Sequence, residues 1–292
     1  MRKTNTKLAL GTAQFGGRYG ISSRQIVNDI QFKKIIAYSK KNKIKQLDTA
    51  RGYGNCEARL KKNKNIDNFN ITTKIFFPKK SNRKPEDYVR FQINRIIKNL
   101  NLTKIYCVLI HNPGNFPKRS KYFYALKKLK QEGLIKNIGF SVYGTSYLKN
   151  IIKNYDFDVV QLPYSIIDRR FEETGCLKIL KKRGIKIYAR SIFLQGLLLL
   201  NYNKIPKKFK RKKRSYAWRS WCDWLKVNEL SAIDVCLNFV NSNKHIDQIV
   251  VGVHNLEHLK KIINFKRKKI YYPKFFPLKN NKILNPLNWN TL

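Results

Sequence analysis

The feature that most constrains this chain is an alternation. Short apolar, β-branched runs recur along its length, separated by helical patterns of about 10 to 16 residues. The runs are Leu8 to Gly11, Lys45 to Thr49, Phe69 to Lys74, "KIYCVLIH" ending at His111, "NIGFSVY" ending near Tyr143, "DVVQLPYS", "KIYARS" and "QIVVGV". Each is expected to be a strand. Between the first two, the spacing predicts a helix over Asp29 to Lys41, capped by Asn28, with Phe32, Ile35, Ile36 and Ser39 on one face. Pro85 opens a second helix at a position where its missing N–H costs nothing, and Val89, Ile93, Ile96, Ile97 and Leu100 form its buried stripe. Further helices are expected near Tyr122 to Gln131, Thr145 to Lys153 and Thr174 to Arg183. Tyr216 to Asn241 reads as two helices divided near Ser231, and a last one follows Asn255.

Eight strands, each followed by a helix, imply eight right-handed βα units, and no linker interrupts the series. The expected architecture is a (β/α)8 TIM barrel, a single domain over residues 1–270, with an irregular Pro- and Asn-rich tail over 271–292. A doubly wound sheet would need GxGxxG opening directly into a helix, and "LGTAQFGGRYG" does not supply it.

Composition narrows the function classes. Hydrophobic residues make up 42% of the 292, enough for a sizeable core. No uncharged apolar stretch approaches the roughly 18 residues of a membrane span, and the N-terminus lacks the apolar core of a signal peptide. Cys56, Cys107, Cys176, Cys222 and Cys236 are scattered without a CxxC pair. That pattern points to reduced thiols in a cytoplasm, with neither a disulfide framework nor a metal site. Lys and Arg number 62 against 17 acidic residues, a net charge of +45. The lysines run from end to end, as expected of solvated faces; only "KKFKRKKR" (Lys207 to Arg214) and "FKRKKIYYPK" (Phe265 to Lys274) are concentrated. No nucleic-acid motif surrounds either, so no specific nucleic-acid partner is expected. Trp218, Trp221 and Trp224 fall at i, i+3 and i+6 and read as core packing.

In a barrel of this kind chemistry gathers at the C-terminal mouth. Asp48 ends the second strand, Tyr53 lies in the loop after it between Gly52 and Gly54, Lys74 ends the third strand and His111 the fourth. A tyrosine with a pKa of about 10 is a poor proton donor near neutrality, and a neighbouring ammonium lowers that value. Lys74 is a candidate for that ammonium and Asp48 for its tether, while His111 is placed to donate to the oxygen that Tyr53 protonates. Together they form an electrophilic pocket for a carbonyl oxygen becoming an alkoxide.

"LDTARGYGNCE", "ITTKI", "VLIHNP", "IGFSVY", "VVQLPYS" and "ARSIFLQGLLL", in that order, resemble the aldo-keto reductases along nearly the whole chain. The opening "LALGTAQFGGRYGIS" is similar to a bacterial branch found among polysaccharide and sugar-modifying genes. The resemblance implies reduction of an aldehyde, ketone or sugar-type carbonyl with NADP as the cofactor, in its reduced form NADPH, and NAD (as NADH) as the second choice. It implies Tyr53 as general acid, Lys74 and Asp48 as its tuning pair and His111 as the orienting donor. For the cofactor it implies Ser141 and Gln161 at the nicotinamide amide, with Val142 where the family has Asn. Arg190 stands where the family stacks an aromatic ring, and Tyr188 is expected to have the wrong strand parity to replace it. Ser191, Leu194 and Gly196 match the pyrophosphate loop, and Gly252 and Asn255 the phosphate end. His254 and His258 stand there where a basic or amide side chain is usual. The basic run at Lys207 suits a phosphorylated or sugar-linked substrate. The departures at Val142 and Arg190 also admit a second class of function, a cofactor-binding regulatory barrel with little turnover.

Overall fold

A computed structural model of the chain describes residues 7–21, 26–63, 66–78, 81–111, 120–211, 213–273 and 281–291. Eight parallel strands close into a barrel in sequence order: β1 (Leu8–Gly11), β2 (Gln46–Asp48), β3 (Asn70–Ile75), β4 (Ile105–His111), β5 (Ile135–Ser141), β6 (Val159–Pro163), β7 (Lys186–Arg190) and β8 (Gln248–Gly252). The expected (β/α)8 TIM barrel is therefore what the chain forms. β1 pairs with β8 through Gly11 opposite Gly252, and with β2 through Gly11 opposite Asp48.

Helices surround the barrel because their apolar stripes have nowhere else to go. Asp29–Lys41 buries Phe32, Ile35, Ile36 and Ser39, and Asn28 Oδ1 accepts from Gln31 N at 2.9 Å. Pro85–Leu100 buries Val89, Ile93, Ile96 and Leu100, while Ile97 is only partly covered. Each fully buried aliphatic side chain contributes about 1.5–3 kcal/mol relative to exposure. The helical pattern from 216 is indeed two helices, Lys213–Val227 and Ala232–Ser242, broken where Glu229 takes φ +48 and Ser231 caps the second. The helix expected near Thr174 to Arg183 is Cys176–Lys182, and a short turn, Arg170–Glu173, precedes it. Gly175 at φ +73 separates them.

Two regions are more ordered than the sequence suggested. In the described part of the tail, Asn281–Leu284 and Pro286–Thr291 form helical turns that bury Ile283, Leu284 and Trp289. The basic run supports them: Phe209 meets Trp289 edge-on at 4.9 Å, and Lys208 Nζ donates to Trp289 O at 2.6 Å. The first half of "KKFKRKKR" is thus part of the packing; Lys212 lies outside the described residues, as does Lys274 of the second basic stretch. Trp218 and Trp221 are core residues, their indole N–H groups donating to Phe209 O and Leu198 O. No helix among the described residues is long and apolar enough to cross a membrane.

Candidate active site

Parallel register sets the site. His111 stands opposite Ser141, Ser141 opposite Gln161 and Gln161 opposite Tyr188 on four successive strands, so their side chains share the inner face. Below the mouth, Cys107, Leu109, Val159 and Tyr188 fill the barrel with a small apolar cluster. Above it the filling turns polar. Lys74 is 1% exposed and Asp48 5%, and they form an ion pair of 2.6 Å. The other carboxylate oxygen, Oδ1, accepts from Gln161 Nε2 at 2.6 Å, and Gln161 Oε1 accepts from Ser141 Oγ at 3.3 Å. Lys74 Nζ also donates to Thr49 O at 3.0 Å and to Tyr53 Oη at 3.4 Å. A continuous chain of hydrogen bonds therefore runs Ser141–Gln161–Asp48–Lys74–Tyr53.

Tyr53 is held by close backbone packing. Gly54 has φ +54, and a Cβ there would lie 2.1 Å from Gly16 O; a Cβ on Gly16 would lie 1.6 Å from Tyr53 O. Gly52 meets only the Phe76 ring, at ordinary contact distance. The pair that fixes the phenol is thus Gly54 with Gly16, from the loop after β1, rather than Gly52 with Gly54. Glu57, in the first turn of the helix Cys56–Lys61, is buried and accepts from Asn99 Nδ2 at 3.3 Å. Cys56 is buried against Thr49, and burial pushes its thiol pKa up.

The electrostatics differ from the simplest reading. Burial first, and then Asp48, push the Tyr53 pKa up, while Arg190 pulls it down. Lys74, ion-paired with Asp48, does not reverse this. His111 is lowered to about 3, by burial and then by Lys74 and Arg190, so its ring is neutral at physiological pH. It lies against Phe76, ring centroids 4.5 Å apart, and its Nδ1 is buried without a hydrogen-bond partner among the described residues.

A cleft opens from Asp48 and Tyr53 between the loops after β1, β7 and β8. Arg190, Ser191, Gly196 and Gly252 line it as the sequence suggested. Leu194 lies beneath, 1% exposed, and Asn255 caps the helix Leu256–Ile263 through Oδ1 to His258 N at 2.8 Å. Gln161 lies behind Asp48 and donates to it, and Ser141 donates in turn to Gln161. Tyr188 shares the parity of Arg190, two residues earlier on the same face, and lies one layer deeper in the barrel; the expectation of opposite parity was wrong. Arg190 rests on the Tyr143 ring at 4.0 Å and donates to Val142 O at 3.0 Å.

The cleft has features that suit a dinucleotide. Ser191, Leu194, Gln195 and Gly196 all have positive φ, an uncommon set that folds the loop back on itself, with Leu194 N donating to Ser191 O at 2.8 Å and Gly196 N to Phe193 O at 2.9 Å. Gln14 Oε1 and His258 Nε2 are buried there without partners among the described residues. A Cβ on Gly252 would lie 2.3 Å from the Gln14 amide, so only glycine leaves that side chain in place. Sequence reasoning missed Gln14 and Tyr19, both in the cleft wall. Tyr19 follows Gly17 and precedes Gly20 in "GRYG", nearly the same setting as Tyr53, and that repeat was the available signal.

Solved structures share the barrel fold. The aldo-keto reductase AKR11C1 from Bacillus halodurans, in its holo form, superposes with a TM-score of 0.70 at 17% identity, covering 95% of this chain and 90% of that one. The thermostable aldo-keto reductase Tm1743, in complex with the inhibitor epalrestat, gives 0.67 at 21% identity, covering 90% of each. These likenesses describe a shared fold. The uncharacterized oxidoreductase YqkF of Bacillus subtilis (strain 168) is 25% identical over 146 residues, which is 48% of this chain and 47% of that relative. The match thus spans about half the length of the curated relative. Residues 7–270 match the model of the aldo/keto reductase family, a family of NAD(P)H-dependent oxidoreductases, and the chain belongs to that family.

Proposed function

We propose that the protein reduces the carbonyl of an aldehyde, ketone or sugar-type substrate with NADPH, NADH being the weaker alternative, and that Tyr53 is the general acid. The observation that carries this is the Lys74 ammonium 3.4 Å from the Tyr53 hydroxyl, with Asp48 2.6 Å behind it. Because burial raises its pKa, Tyr53 keeps its proton at neutral pH until an alkoxide forms beside it. Giving up that proton leaves a phenolate in hydrogen-bond reach of Lys74, so the ammonium stabilises charge that exists only late in the reaction. Asp48 and Thr49 O hold Lys74 in place, and Gln161 and Ser141 hold Asp48. His111, being neutral, orients the carbonyl oxygen through one ring N–H without exchanging a proton in the physiological range. A bound reduced nicotinamide supplies the hydride. Ser141, Gln161, Ser191, Leu194, Gly196, Gly252 and Asn255 are the residues we assign to the cofactor's surroundings, Leu194 through its backbone only; Arg190, which the family resemblance also places there, lines the same cleft as Tyr53 and borders the carbonyl site. A cytoplasmic setting suits five free cysteines.

The test is NADPH oxidation by the purified protein over a panel of aldehydes, with Tyr53→Phe beside it. The variant is expected to lose about 10²- to 10⁴-fold in kcat while still binding NADPH. Equal turnover by the variant removes Tyr53 from the acid role. NADPH binding with no oxidation above the Tyr53→Phe background selects the regulatory reading instead.

A further inference from the structure

The charge at the mouth does not cancel. Asp48 is fully engaged, one oxygen by Lys74 and the other by Gln161, so that pair is neutral as a unit. His111 adds no charge near neutrality. Arg190 remains. Among the described residues no carboxylate lies within ion-pair reach of it, and the cleft it lines has Asp48 as its one acidic side chain. Its contacts are all with neutral groups: the Tyr143 ring at 4.0 Å, Val142 O at 3.0 Å from one terminal nitrogen and Ser191 Oγ at 3.3 Å from the other. These contacts fix the plane of the guanidinium without neutralising it. Five N–H donors are available on that fork and two are used.

Arg190 sits at the end of β7, partly buried, in the same cleft as Tyr53. Its field reaches both Tyr53 and His111. A preorganised, partly desolvated guanidinium favours a planar or tetrahedral oxyanion and loses little rotamer freedom on binding it. We propose that Arg190 holds the anionic group of the substrate, which makes the substrate class a carbonyl compound carrying a carboxylate or phosphate near the carbonyl. This rests on the reductase reading above and adds to it the class of molecule reduced.

The experiment compares matched substrates with the full chain and NADPH: 4-carboxybenzaldehyde against its methyl ester, and glyceraldehyde 3-phosphate against glyceraldehyde. In at least one pair the anionic member is expected to be preferred about tenfold or more in kcat/KM, mainly through KM, and the pair that shows it tells carboxylate from phosphate. Arg190→Met is expected to lower kcat/KM for the preferred anion about 10- to 100-fold and bring the ratio towards one. Arg190→Lys should recover part of the ratio, since the charge remains and the fork is lost. Equal treatment of both members of both pairs by the native protein overturns the proposal. So does an Arg190→Met variant that lowers both members by one factor together with NADPH affinity, the signature of a cofactor contact. If Arg190→Met does not fold, the native ratio decides, together with stronger competitive inhibition by benzoate than by benzamide. Turnover of none of the four carbonyls brings down the reductase reading itself, a result distinct from turnover without preference.

Discussion

The two sides of the cleft are built on opposite principles. On the β2–β6 side, Ser141, Gln161, Asp48, Lys74 and Tyr53 are partners for one another. On the β7–β8 side, Gln14 Oε1 and His258 Nε2 are buried without partners among the described residues, and Ser191, Leu194, Gln195 and Gly196 take positive φ angles. The first arrangement is closed and holds charge in fixed positions. The second leaves donors, acceptors and strain for something else to satisfy. Groups that act on charge as it develops gain from being preorganised by their neighbours. Groups that hold a ligand must keep their hydrogen-bonding capacity for it.

The comparison can be broken most sharply at Lys74. Lys74→Met leaves Asp48 buried and unpaired, so stability should fall by about 3–5 kcal/mol in urea unfolding, with carbonyl reduction lost as well. A variant as stable as the native protein would mean that the network is not closed. Gln161→Leu is the next step: it removes the partner of Asp48 Oδ1 and of Ser141, and should cost about 1–3 kcal/mol by the same measurement. The histidines sharpen the contrast through pH. His111 is held at about 3 and His258 at about 4, both by burial first, against an ordinary value of 6.5. The unfolded chain therefore takes up these protons first. Stability is fully present above about pH 6.5 and falls as pH drops towards 4, each ring contributing at most about 1.4 kcal/mol per pH unit. Unfolding free energies between pH 4 and 7 for His111→Gln and His258→Gln should show correspondingly flatter slopes. The smallest expected effect is on the strained side. Gly196, at φ +91, should cost about 1 kcal/mol when replaced by alanine, and NADPH affinity, read by fluorescence titration, should fall with it.

Much of the fold was legible because it rests on local periodicity. The helix Asp29–Lys41 falls where its cap and its i, i+3, i+4, i+7 face put it, and the eight strands appear in the expected order. The misses were equally physical. The short turn Arg170–Glu173 has no pattern to announce it, because the positive φ of Gly175 that separates it from Cys176–Lys182 is a backbone property that side-chain spacing does not carry. The tail looked irregular because a few buried side chains such as Trp289 have no period to betray them. At the site, strand ends pointed to Asp48, Lys74 and His111, but nothing local linked Gln161 to Asp48 across 113 residues.

By itself, then, the sequence determined the alternation, and with it a closed barrel whose strand ends carry Asp, Lys and His at one mouth, since strand and helix periods are short-range and steric. Only the tertiary structure decided how those charges divide: Lys74 neutralised by Asp48, the Tyr53 phenol raised by burial, and Arg190 left as the unbalanced cation. Net charge in a buried site depends on which groups lie within a few ångströms of one another, and that is set by barrel closure and register rather than by any spacing along the chain.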